Sequence, residues 1–122
     1  MTQSQEDYLE MISFLSDEGE VHITDISRRL KTSKPAVFKA IKLLKDKELI
    51  THKRYSTVSL TDNGKFAAME IRKRHDMLTD FLHRILGVSV QTAEEDACKM
   101  EHVLSQETLT QMEKTLEIYA VR

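Results

Sequence analysis

This sequence of 122 residues contains one cysteine, one proline, three glycines and no tryptophan, and only 6% of it is aromatic. A single cysteine excludes an internal disulfide and leaves a thiol available for metal chemistry, which suits a reducing, cytoplasmic location. So few glycines and prolines leave no linker and no low-complexity stretch. The scarcity of aromatics gives little to line an apolar pocket, so no organic small-molecule substrate is expected. No apolar run nears the roughly 20 residues that span a bilayer, and no membrane partner is expected. The polar, acidic start Met1–Asp7 carries no secretory signal. A Gly-rich phosphate loop, a nucleophile elbow and a general-base motif are all missing, which argues against an enzyme and leaves no catalytic residue to assign.

What is present is the composition of a folded protein, 40% hydrophobic and 31% charged, with one core or two small modules sharing one. The net charge of −2 conceals strong segregation. Residues 1–20 carry six acids and no Lys or Arg; residues 28–54 carry ten bases against Asp46 and Glu48; residues 90–122 carry seven acids and three bases. A basic middle block is the footprint expected for phosphate contacts, although a lysine run is more often a solvated face.

Hydrophobic periodicity predicts six helices and one β-hairpin. Tyr8, Ile12 and Leu15 mark a first helix over about residues 4–17. Thr24 is expected to cap a short second helix packed through Ile26 and Leu30, and Lys31-Thr32 to form the turn. Ser33 then caps a third helix with Pro35 in its first turn. Val37, Ile41 and Leu44 make that helix's inner stripe, leaving Lys34, Lys39, Lys42 and Lys45 on or near its outer face. Residues 49–52 and 57–60 read as strands joined by a tight turn at Tyr55-Ser56. Two short helices at a sharp turn, then a hairpin, make a winged helix-turn-helix, whose second helix enters the DNA major groove.

A long helix is expected from Asp62-Asn63 to Leu86, stopping at Gly87, with Ile71, His75, Leu78, Leu82 and Ile85 inward. Thr92 with Glu95 suggests a capping box for a fifth helix, and Ser105 caps a sixth with Leu109, Met112, Leu116 and Tyr119 on one face. These helices are too few to close a core alone, so a two-fold homodimer is expected.

Cys98, Glu101 and His102 stand as C-x-x-E-H, and residues three and four apart share one face of a helix. A thiolate, a carboxylate and an imidazole in one volume suit a transition-metal dication. Asp7 and Glu10, at i and i+3 on the first helix, and His75, an imidazole in an apolar stripe, are candidates to join them. Singly, each has a plainer reading. His75 is more often a satisfied core histidine, Asp7 and Glu10 helix N-terminal acids, and Cys98 a small buried hydrophobe.

Several stretches occur together and in order: Glu6-Asp7-Tyr8-Leu9-Glu10, Ser33-Lys34-Pro35-Ala36-Val37, Leu60-Thr61-x-x-Gly64-Lys65, Arg72-Lys73-Arg74-His75 and Ala97-Cys98-Lys99-Met100-Glu101-His102-Val103-Leu104-Ser105. In these the chain resembles the diphtheria-toxin-repressor family of iron- and manganese-dependent transcriptional regulators, from end to end. The resemblance implies a mainly α chain, with a winged helix-turn-helix DNA-binding domain over residues 1–62 and a helical metal-binding and dimerisation domain over 63–122. It implies a homodimer on palindromic half-sites of double-stranded operator DNA. It also implies a metal site of Asp7, Glu10, His75, Cys98, Glu101 and His102 that bridges the two modules. For DNA it points to Arg28, Ser33, Lys34, Pro35, Ala36, Lys39, Lys42, Lys53, Arg54 and Tyr55.

The ligand set resembles a hybrid. The manganese branch matches Asp7 and Glu10 but has Glu in place of Cys98. The iron branch matches Cys98 but has Met in place of Asp7 and no acid at Glu10. A soft thiolate favours Fe(II), with Zn(II), Co(II) or Ni(II) as substitutes, while the hard carboxylates keep Mn(II) in play; iron is slightly favoured. The family's ancillary site includes His75 but meets Thr79 and Glu94 at two other positions, against its iron-branch form. The chain stops at Arg122, so the SH3-like third domain of longer members is not expected. Two other readings stay open: a winged-helix regulator sensing an organic ligand, and a small metalloenzyme at the same cluster.

Overall fold

The computed structural model describes residues 1–53 and 57–120, in two compact units, Met1–Met69 and Glu70–Arg122. The first unit opens with α1 (Gln3–Ser16), α2 (Ile23–Leu30) and α3 (Lys34–Asp46). The strands β1 (Ile50–His52) and β2 (Val58–Leu60) pair antiparallel, with Ile50 opposite Leu60 and His52 opposite Val58. Val21 adds a single bridge to Val58, its carbonyl accepting the Val58 N–H at 2.8 Å. The expected turn at Tyr55-Ser56 lies outside the described residues.

The periodic stripes are the core: Tyr8, Leu9, Ile12 and Leu15 of α1, Ile26 of α2, and Val37, Ala40, Ile41 and Leu44 of α3 are buried with Ile50 and Val58. Each fully buried Leu or Ile is worth about 1.5–3 kcal/mol over its exposed state, which holds three short helices that would not form alone.

One start signal here differs from the sequence reading, and one agrees with it. The cap of α2 is His22 rather than Thr24, because the Asp25 carboxylate accepts the His22 backbone N–H at 3.1 Å and draws the helix start back. Between α2 and α3, Lys31 takes the left-handed conformation (φ 55°), and Ser33 Oγ accepts the Ala36 N–H at 3.3 Å as the expected cap.

Thr61 joins the hairpin to α4 (Asp62–Asp80). Its N–H donates to the Leu49 carbonyl, its hydroxyl donates to the Glu48 carbonyl at 2.6 Å, and Thr61 Oγ1 accepts the Gly64 N–H at 3.0 Å. Gly64 is buried so tightly under Leu49 that any Cβ there would overlap the Leu49 carbonyl oxygen. Gly64→Ala is therefore expected to destabilise the first unit by roughly 1–3 kcal/mol through overpacking. A urea-unfolding midpoint equal to the wild type's would mean that the backbone yields there.

In the second unit, α4 does not stay regular to Leu86. It widens after Asp80 into a π-helical turn, Phe81–Ile85, with Leu86 N–H donating to the Phe81 carbonyl five residues back. Gly87 (φ 77°) ends it in a left-handed stop, with Gly87 N–H donating to the His83 carbonyl as in an αL cap and Val88 N–H reaching back to the Leu82 carbonyl. Next come α5 (Val90–Met100) and α6 (Gln106–Ala120), both packed on the π-helical turn. The cap of α5 is Ser89, whose Oγ accepts the Thr92 N–H, so Thr92 sits inside the first turn rather than before it. Ser105 caps α6 as expected, accepting the Thr108 N–H at 3.1 Å. The buried heart of this unit is small: Leu78, Ala97 and Leu109, with Met77, Met100, Leu104 and Met112 around them.

Candidate metal centre and nucleic-acid interface

The core-facing stripe of α5 is Ala93, Ala97 and Glu101, at i, i+4 and i+8. Two alanines carry no bulk, so the helix packs closely and delivers a carboxylate at the end of an otherwise apolar stripe. The helix stops at Met100, and Glu101 is its C-cap, its N–H still donating to the Ala97 carbonyl. The Glu101 side chain is fully buried, with one oxygen 3.2 Å from His75 Nδ1 and the other 3.2 Å from His102 Nε2. His75 comes from α4, where its carbonyl accepts the Thr79 hydroxyl at 2.9 Å. The His102 side chain is as buried as Glu101, while His75 keeps about a quarter of its surface, 25%.

Three sequence-predicted residues are thus brought together: His75, Glu101 and His102. Cys98 is exposed, because it lies about 100° round the helix from buried Ala97. The helix ends at Met100, so Glu101 and His102 follow Cys98 at its C-cap and just beyond it. Asp7 and Glu10 lie part-buried on α1 in the first unit. Among the described residues no three His, Cys, Asp or Glu side chains already converge as a closed coordination shell. The donor chemistry nevertheless fits a first-row dication: borderline imidazole nitrogen and hard carboxylate oxygen, 3.2 Å apart and shielded from water.

The nucleic-acid face is read from α2 and α3. Arg28, Ser33, Lys34, Pro35, Ala36, Lys39 and Lys42 are all exposed. Ser33 Oγ is already engaged as the cap of α3. Lys53 is exposed beyond β1, and Arg54 and Tyr55 lie outside the described residues. Not every base of the middle block is available: Lys45 Nζ donates to the His52 carbonyl at 3.0 Å, and Lys47 Nζ to Gln5 Oε1 at 2.8 Å. Arg29 lies over the Phe14 ring, 5.2 Å from its centroid. Sequence reasoning passed over Phe38, which is half exposed on α3 beside these cations; an aromatic off the buried stripe was the available signal.

Known proteins match the whole layout. A family profile described as "Iron dependent repressor, N-terminal DNA binding domain" covers residues 1–58, and one described as "Iron dependent repressor, metal binding and dimerisation domain" covers residues 61–120. The transcriptional regulator MntR of Escherichia coli O6:H1 is 43% identical over 105 residues, 85% of this chain and 67% of that protein. An uncharacterized HTH-type transcriptional regulator of Methanocaldococcus jannaschii is 34% identical over 96% of this chain and 95% of its own length. A solved structure of a manganese-dependent transcriptional repressor in complex with manganese aligns with a TM-score of 0.82 at 26% identity, over 93% of this chain and 52% of that one. The chain thus spans about two thirds of the curated MntR protein and about half of that solved repressor. These relatives are transcriptional regulators rather than enzymes. With both profiles in sequence order and the identities this high, the chain belongs to the diphtheria-toxin-repressor family of metal-dependent transcriptional regulators.

Proposed function

We propose that this chain is a metal(II)-activated repressor of metal-homeostasis genes, binding double-stranded operator DNA as a homodimer once its donor set is loaded. The observation that carries the reading is the buried Glu101 carboxylate with His75 Nδ1 and His102 Nε2 each 3.2 Å away. The proposed donor set is Asp7, Glu10, His75, Cys98, Glu101 and His102. A dication held there supplies the positive charge that offsets repulsion among several carboxylates. Asp7 and Glu10 belong to the DNA-reading module, and the other four to the second unit. Metal affinity that depends on both units is the differential affinity that coupling to DNA requires.

The dimer is supported by the description of the second matched domain and by exposed Leu86, Val90, Ile118 and Tyr119 in that unit, apolar surface that a second copy would cover. A two-fold dimer suits a palindromic operator with half-sites about one helical turn apart. For the metal, the matched iron-dependent profiles support Fe(II), and the solved relative bound to manganese supports Mn(II). The donor set accommodates both, with the Cys98 thiolate drawing it toward the softer ions.

The test is DNA binding against Mn(II), Fe(II), Co(II) and Zn(II) under anaerobic, reducing conditions, on duplexes enriched by the protein from a randomised library. Affinity is expected to rise roughly 5–150-fold with metal; no rise with any of the four removes the reading. Cys98→Glu is expected to shift activation toward Mn(II), and Asp7→Met toward Fe(II) or Zn(II). A metal preference indifferent to both substitutions would place the donors elsewhere.

A further inference from the structure

Phe38 keeps 51% of its surface exposed, although Val37, Ala40, Ile41 and Leu44 of the same helix are buried. Helical spacing sets Lys34, Phe38 and Lys42, four residues apart, along one ridge beside that buried stripe. The ridge borders the hairpin. The Phe38 ring lies 6.3 Å from the His52 ring, tilted at 48°, and the His52 carbonyl is held by Lys45 Nζ. The phenyl ring therefore has one side leaning on the wing and the other toward water, between two exposed ammonium groups. Isolated surface aromatics are common and carry no meaning by themselves. This one sits in the second turn of the helix that a winged helix-turn-helix inserts into the major groove, between cations suited to phosphates. The apolar group that base edges present in that groove is the C5-methyl of thymine, and an apolar side chain reads it by contact.

We infer that Phe38 is a sequence-reading residue, which packs its ring on a thymine C5-methyl in the operator while Lys34 and Lys42 hold the flanking phosphates. The inference rests on the operator-binding function proposed above. It adds an apolar reader to a face otherwise made of cations and small residues. Because Phe38 touches no phosphate, its removal changes sequence preference and leaves the salt dependence alone.

The experiment uses the full chain, Mn(II) and a duplex enriched by the wild-type protein from a randomised library, with each thymine replaced in turn by deoxyuridine. That change deletes one methyl group and nothing else. Wild type is expected to lose about four-fold in affinity for the deleted methyl at one thymine per half-site. Phe38→Ala should bind the thymine and deoxyuridine duplexes alike, with the wild-type salt slope, and Phe38→Leu should recover part of the discrimination. Lys42→Ala should do the reverse, keeping the methyl preference while lowering the slope by about two, one for each protomer of the dimer. An equal deoxyuridine penalty in wild type and Phe38→Ala, or no methyl-sensitive thymine in the wild type, overturns the inference and leaves Phe38 as a prop for the wing. If no duplex is enriched with metal at all, the operator-binding reading falls first and takes this one with it.

Discussion

Glu101→Gln is expected to abolish metal binding and metal-dependent DNA binding together. The amide keeps the volume of the buried carboxylate, so the stripe of Ala93 and Ala97 still packs and no cavity opens. What it loses is the charge that faces His75 and His102 at 3.2 Å. Losing an outer-shell partner already costs roughly 10–100-fold in metal affinity, and losing a residue proposed to supply a ligand oxygen should cost at least that. The readout separates function from folding. With metal at a hundred times its Kd, wild type gains about 2.7 kcal/mol of stability, because the native state alone binds it. Glu101→Gln should melt like metal-free wild type and gain nothing on adding Mn(II) or Fe(II). His75→Ala should behave in the same way. Asp7→Ala, by contrast, leaves most of the donor set, so metal still stabilises the protein while DNA affinity no longer rises with it. Neither class should dissociate the dimer, whose contacts are proposed to be apolar. Full metal activation in Glu101→Gln would sink the proposed centre.

Lys39→Ala should weaken operator binding by about 1–3 kcal/mol and relax the sequence preference at one position. Lys39 is exposed on α3, more than 150° round the helix from Val37 by the roughly 100° step of successive residues, so it looks away from the core that Val37, Ile41 and Leu44 enter. Arg28 and Lys53 are exposed as well, on α2 and just beyond β1. They are expected to act as phosphate contacts, so in the proposed dimer Arg28→Ala or Lys53→Ala should lower the salt slope by about two, one per protomer, and weaken all sequences alike. Titrating each variant on the enriched duplex and on a scrambled duplex, at several salt concentrations, distinguishes the two effects. Normal operator binding by Lys39→Ala would mean that α3 presents a different face to DNA.

The sequence by itself determined the elements and much of their chemistry, because those signals are local. Val37, Ile41 and Leu44 recur at helical spacing, and the burial of all three follows from that spacing alone. Ser33 and Ser105 lie where a helix needs an acceptor for its third N–H, and Gly87 where it needs a left-handed residue, and all three serve so. The charge segregation and the C-x-x-E-H spacing likewise need no fold to be read. Where two local signals compete, only packing decides between them. Ser89 and Thr92 are both good caps, and α5 starts at Ser89. Asp25 draws the start of α2 to His22, past Thr24. The π-helical turn over Phe81–Ile85 has no signature in hydrophobic spacing, since it depends on how α5 and α6 seat against it. Lys45 and Lys47, indistinguishable in sequence from their neighbours, are tied to His52 and Gln5 by the fold.

The centre itself shows the same division. Glu101 and His102 were visible as donors, but a meeting with His75, 26 positions earlier, is a long-range contact that no local pattern encodes. Cys98 was grouped with them by spacing, and its exposure follows from its place about 100° round α5 from buried Ala97. Gly64 looked like a motif letter until the Leu49 carbonyl was seen to fill the space a side chain would need. Local preference is a matter of tenths of a kcal/mol to about one per residue, whereas burying one large side chain is worth about 1.5–3. Residue order therefore specifies which groups are available, and packing decides which of them meet.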